Sequence, residues 1–293
     1  MRREAAWQDP DMPIIDAWIQ HPTPTFLREP MFATLWRWVG MPLDALPTEI
    51  LPAYTLAALD QGGVDRALVS AWWGPRGPLL DNDSVAALCR AHPTRFVGVA
   101  SVDLLRPMDG VRELRRAVGE LGMRALRVLP WLWGLPPNDR RYYPLYAACI
   151  DLGIPFCLQV GHAGPLHASD PGRPIPYLDE VALEFPELVI VGGHIGYPWT
   201  QEMIALATKY PNVYIDTSAY KPSAYPPELV QFLKGRGRKK VLFGSNFPML
   251  TPAACLAEVD ALGLSPEVRA LFLEGNARRV FFPAEPATAV VPG

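Results

Sequence analysis

Eight short apolar runs rich in β-branched residues recur along this chain, and helix-period segments separate most of them. They are 12–20 (MPIIDAWIQ), 66–73 (RALVSAWW), 96–103 (FVGVASVD), 125–133 (ALRVLPWLW), 155–162 (PFCLQVGH), 188–194 (LVIVGGH), 213–220 (VYIDTSAY) and 240–247 (KVLFGSNF). Between them, 85–92, 110–121, 143–153, 177–186 and 200–210 carry helical spacing, with Thr200 expected as an N-cap. Strands alternating with helices build parallel βα units. Eight such units in 293 residues predict a closed α/β (β/α)8 TIM barrel. The runner-up, a doubly wound sheet, would call for a glycine-rich phosphate loop after its first strand, and no GxGxxG stands there.

One barrel then accounts for the whole chain as a single domain, 1–293. The connection after the first strand, 21–50, is too long for an ordinary βα loop. Its aromatics Phe26, Phe32, Trp36 and Trp38 predict an inserted lid segment, or else an insertion packed on the barrel side. The last ten residues, 284–293, read as a C-terminal tail. A hydrophobic fraction of 49% supports a large core, and a net charge of −3 argues against nucleic acid or anionic membrane as a partner. No apolar run reaches the roughly 18 residues of a membrane span, and the start lacks a signal-peptide core. Cys89, Cys149, Cys157 and Cys255 show no CxxC spacing and read as reduced thiols of a cytoplasmic protein.

A barrel of this kind keeps its chemistry at the C-terminal ends of its strands. The residues there are Asp16, Trp18 and Gln20; Trp72 and Trp73; Asp103; Arg127, Trp131 and Trp133; Gln159 and His162; His194; Asp216 and Ser218; and Asn246. His162 and His194 close consecutive strands, and neutral imidazoles are natural acid/base groups near pH 7. Indoles at the mouth predict a stacking cavity for an aromatic or polyene-like ligand. Arg127, Arg76 and Arg173 are candidates to clamp a carboxylate or polarise an enolate.

Several segments in combination resemble the amidohydrolase-related family, in the branch that contains aminocarboxymuconate-semialdehyde decarboxylase. They are IIDAWIQ, the run DRRYYPLYAACIDLGIPFCLQVGHAG, VIVGGHIGYPW through PNVYIDTSAY, VLFGSNFPM and the closing EGNARRVF. The resemblance implies the barrel fold and a divalent-metal site. It implies metal ligands where this chain has Trp18, Gln20, His162 and Asn246, and a catalytic acid/base at His194. An indole cannot ligate, and neutral amides are poor zinc ligands beside imidazole or carboxylate.

The resulting expectation is a metal-independent enzyme with no cofactor and no metal ligands. His194, His162 and Asn246 are its catalytic residues. Trp18, Gln20, Trp72, Trp73, Arg127, Trp131, Trp133 and Ser218 bind substrate. The reaction expected is hydrolysis, carbon–carbon lyase chemistry such as decarboxylation, or cyclisation of a small unsaturated or aromatic carbonyl or carboxylate compound. The partners are that substrate and a second copy in a homodimer, with no nucleic acid and no membrane. The alternatives are a metal-dependent hydrolase or decarboxylase with Zn2+ at a remodelled site, and a non-catalytic ligand-binding barrel.

Overall fold

The computed structural model describes residues 13–40 and 47–283. Eight parallel strands close into a barrel: β1 (Ile15–Ile19), β2 (Arg66–Ser70), β3 (Phe96–Val99), β4 (Leu126–Val128), β5 (Phe156–Gln159), β6 (Ile190–Gly193), β7 (Val213–Asp216) and β8 (Val241–Leu242). Ladders join β1–β2–β3 and β4–β5–β6–β7–β8. The two seams close through parallel bridges at Ala100–Leu126 and Ile19–Phe247. At the first, the Arg127 amide donates to the Ala100 carbonyl at 2.8 Å, and at the second the Gln20 amide donates to the Phe247 carbonyl at 2.9 Å.

All eight expected strands are present, and each ends before its apolar segment does, the first and sixth by a single residue. Their last residues are the catalytic-face loops. Trp131 and Trp133 lie on a single helical turn, Pro130–Trp133, which Pro130 opens and Gly134 ends in the left-handed region. Trp72 and Trp73 leave β2 for a short antiparallel hairpin, Trp72–Gly74 with Gly77–Leu80. Thr200 is the first helical residue of Thr200–Lys209 rather than its cap. Other helix ends follow their local chemistry. The Asp81 carboxylate accepts the Ser84 amide ahead of Asn82–Ala91, and Gly153 at φ +64° ends Tyr143–Leu152.

Ile15, Ala17, Leu68, Val99, Cys157, Val191 and Leu242 form one apolar cluster, joined by Ala277, Val280 and Phe281 of the helix Asn276–Phe281. A separate, aromatic cluster gathers Trp18, Phe26, Phe32, Trp36, Trp72 and Trp131. Much of it comes from segment 21–50. There Thr23 caps the helix Pro24–Leu27, and Ala33–Val39 ends at Gly40. Phe26 and Phe32 both meet the Trp72 ring edge-on, at 5.1 and 5.7 Å between centroids. Residues 41–46 of this segment and the expected tail, 284–293, lie outside the described residues. No helix among the described residues is long and apolar enough to cross a membrane.

Candidate active site

His194 follows β6 directly, with its backbone and that of Ile195 in the left-handed region, at φ +69° and +56°. The cost of that conformation for residues with a side chain is of the order of 1 kcal/mol or more each. It turns the imidazole back over the barrel end. Its Nδ1 lies 2.7 Å from the Ser218 hydroxyl, which leaves Nε2 facing the cavity. The Ser218 amide in turn donates to Asp216 Oδ1 at 2.7 Å, so the loop after β7 fixes the hydroxyl. Burial lowers the His194 pKa to about 3; the Arg127 charge adds to this and the Ser218 hydrogen bond opposes it. The ring is therefore neutral across the physiological range.

Beneath it lies Trp18, its ring centroid 4.7 Å from that of His194. The guanidinium carbon of Arg127 stacks on the same indole at 3.5 Å from its centroid. This approach is possible because position 193 is glycine: a Cβ there would fall 2.4 Å from Trp18 Cζ3. Arg127 donates from Nη2 to the Ala17 carbonyl at 3.1 Å, and burial pushes its pKa down. Asp16 and Asp216 complete this buried charged layer. Asp16 Oδ1 accepts the Trp18 and Ser245 amides. Burial raises the Asp16 carboxyl to about 7 and that of Asp216 to about 6, the Arg127 charge opposing the second.

Asn246 is also left-handed at the barrel end, with φ +66°. Its amide N–H donates to the Trp18 carbonyl at 2.8 Å. Gln20 Nε2 donates to Asn246 Oδ1 at 3.0 Å and to the Phe247 carbonyl at 2.6 Å, while Gln20 Oε1 accepts from Trp72 Nε1 at 3.3 Å. Asn246 Nδ2 has only the weak Met249 sulfur at 3.7 Å. A second amide–indole pair stands beside it. Gln159 Oε1 accepts from Trp131 Nε1 at 2.6 Å, and its Nε2 donates to the His162 carbonyl at 2.8 Å.

These groups open on a cavity of about 260 Å³. Of the sequence-predicted site residues, Gln20, Trp72, Trp131, His162, His194 and Asn246 line it. His162 is exposed at its mouth and His194 is buried. Five others do not line it. Trp18 and Arg127 lie beneath His194, at 0% and 1% exposure. Ser218 is fully buried and reaches the cavity only through His194. Trp133 belongs to the core between barrel and helices, and Trp73 packs against that core, because the turn at Pro130 and the hairpin carry both outward. The expected arginine clamp is also absent from the lining: Arg76 pairs with Glu29 and Arg173 with Glu202, each at 2.8 Å. His21 turns away from the site toward Thr55 and the Ile50 carbonyl. Gln159, Tyr197, Tyr220 and Met249 line the cavity too. Tyr197 and Tyr220 follow His194 and Ser218 closely in the sequence, and that proximity was the signal for them.

An amidohydrolase family profile matches residues 17–282. The chain belongs to that family, and it is an enzyme of the lyase or hydrolase kind, in the decarboxylase-like branch. It is 27% identical to 2-keto-4-carboxy-3-hexenedioate hydratase from Sphingobium sp., over 80% of this chain and 83% of that one. It is 26% identical to gamma-resorcylate decarboxylase from Rhodococcus jostii, over 68% of this chain and 74% of that one. An uncharacterized TIM-barrel protein from Bordetella bronchiseptica superposes with a TM-score of 0.78 at 25% identity, covering 91% of this chain and 97% of that one.

The same comparisons correct the expectation of an enzyme without a cofactor. A dihydroxybenzoic acid decarboxylase from Polaromonas sp. shares the fold (TM-score 0.70, 19% identity, 95% of this chain and 99% of that one) and was solved with bound manganese. Manganese is likewise bound in two structures of 5-carboxyvanillate decarboxylase from Novosphingobium aromaticivorans that share the fold. The residues of this chain at the implied ligand positions do not fit manganese. Trp18 offers an indole, and the amide oxygens of Gln20 and Asn246 already accept from Trp72 and Gln20. Among the described residues no three His, Cys, Asp or Glu side chains stand together as a metal site.

Proposed function

We propose that this chain is a lyase that moves a proton to or from carbon in a small aromatic or unsaturated carbonyl compound. The observation that carries this reading is the pairing at the cavity floor of a neutral imidazole, His194, with an amide N–H, Asn246 Nδ2. The Asn246 amide would hold the substrate carbonyl and stabilise the enolate-like charge that develops on its oxygen. His194 Nε2 would take or deliver the proton at carbon. The Ser218 hydroxyl suits both directions, since it can accept from Nδ1–H both in the neutral ring that takes a proton at Nε2 and in the imidazolium that delivers it. His162, exposed at the mouth, would exchange protons between the site and solvent.

The relatives support the reaction class, since one is a hydratase and one a decarboxylase. Both reactions pass a proton to or from carbon beside a conjugated carbonyl or ring. The aromatic walls support the substrate class. Segment 21–50 would act as a lid, because Phe26, Phe32 and Trp36 supply one side of the cavity. The test is a panel of aromatic and unsaturated carbonyl compounds incubated in D2O and followed by proton NMR. Turnover or carbon-bound deuterium in any of them, lost in His194→Gln, supports the reading. Turnover that survives His194→Gln refutes it.

A further inference from the structure

We propose that this cavity selects uncharged, flat aromatic molecules bearing a neutral carbonyl or phenol group over the corresponding carboxylates. The inference rests on the proposed site but names what it binds, and its test requires no turnover. Among the described residues that line the cavity there is no lysine, arginine, aspartate or glutamate. Phe32, Trp36, Trp72 and Trp131 present rings to it, and the polar groups are amides and imidazoles. The charge that could have met an anion, Arg127, is buried with its guanidinium stacked on the equally buried Trp18, and neither residue lines the cavity. Arg76 and Arg173 are committed to Glu29 and Glu202.

An anion entering such a cavity loses its water without gaining a cation. It can avoid that penalty by entering as the protonated acid, but with a pKa of about 4 only roughly one molecule in a thousand is protonated at pH 7. A phenol or ketone meets neither cost, and its single polar group can take the hydrogen bonds that Asn246 Nδ2 and His194 Nε2 offer. The hydratase and decarboxylase relatives carry carboxylate substrates in their names, so this preference separates the chain from them.

The experiment is isothermal titration calorimetry at pH 7 with 2-naphthol and 2-naphthoate, on the protein as purified and again with manganese chloride added. The expected result is a naphthol Kd at least about tenfold below that of naphthoate in both conditions, the margin set by the unpaired anion. Equal or tighter naphthoate binding in either condition overturns the proposal. Two variants place the effect in the cavity, Met249→Lys and, independently, Leu35→Lys, each checked for fold by circular dichroism. At least one should tighten naphthoate while weakening naphthol; two folded variants that leave the ratio unchanged overturn the proposal. The lyase reading fails separately, through absence of turnover and exchange, and that outcome does not alter the binding ratio.

Discussion

Gly193→Ala is the perturbation that reads the buried stack most directly. The added Cβ would sit 2.4 Å from Trp18 Cζ3 and 2.7 Å from Cε3, well inside van der Waals contact. The indole has no room to withdraw, with the Arg127 guanidinium stacked at 3.5 Å and the His194 ring at 4.7 Å. The backbone of β6 is equally held, since Gly193 pairs with Gln159 and Asp216 on its two sides. Overpacking a rigid site costs about 2–3 kcal/mol, which for a chain of this size lowers Tm by roughly 3–5 °C. Because His194 is the next residue, the displaced ring should also lower kcat by roughly 10²-fold. The assay is thermal melting, together with turnover on any substrate found. Trp18→Ala alone should cost about 3–5 kcal/mol. The double variant should be about 1–3 kcal/mol more stable than the sum of the single effects, because the clash is gone. A Gly193→Ala protein that melts with the parent, or strict additivity in the double variant, would refute the stack.

Three further outcomes follow from the same geometry. The neutral form of Asp16 is favoured in the fold, so its contribution to stability is full below pH 3.8 and is lost as pH rises through about 7; Asp16→Asn should flatten the urea-midpoint profile over that window, and an unchanged profile would contradict the burial. His194 acts in the opposite sense: with its pKa lowered to about 3, its contribution is full above pH 6.5 and is lost as pH falls toward 3, so His194→Gln should improve acid tolerance in the same measurement. Trp131→Phe removes the 2.6 Å hydrogen bond to Gln159 and should cost about 1–2 kcal/mol, with a looser binding of 2-naphthol; an unchanged Kd would show that this wall does not touch the ligand.

The barrel was legible because its strands are buried on both faces and so read as continuous apolar runs. The ends of the strands were not. The segment 125–133 keeps a strand-like composition, yet Pro130 starts a helical turn that buries Trp133 away from the cavity. The cavity lining was legible at His194, Gln20 and Asn246 through the family resemblance. Their orientation was not, because nothing in the residue types announces a left-handed backbone at His194 and Asn246. Arg127 was expected in the cavity because strand alternation gives inward direction but not depth. The large Trp18 covers it, and only the glycine at position 193 hinted at so close an approach. The missing cofactor was inferred from lost ligands, and the manganese of a structural relative corrects it.

Solvent isotope incorporation tests the proposed proton-carrying role of His194 most directly. A compound that the parent protein turns over should be run in D2O by the parent and by His194→Gln, with carbon-bound deuterium read by NMR. The parent should place solvent deuterium on the reacting carbon, and the variant should do so about 10²–10⁴-fold more slowly. Deuterium placed by the folded variant at the parental rate would contradict it.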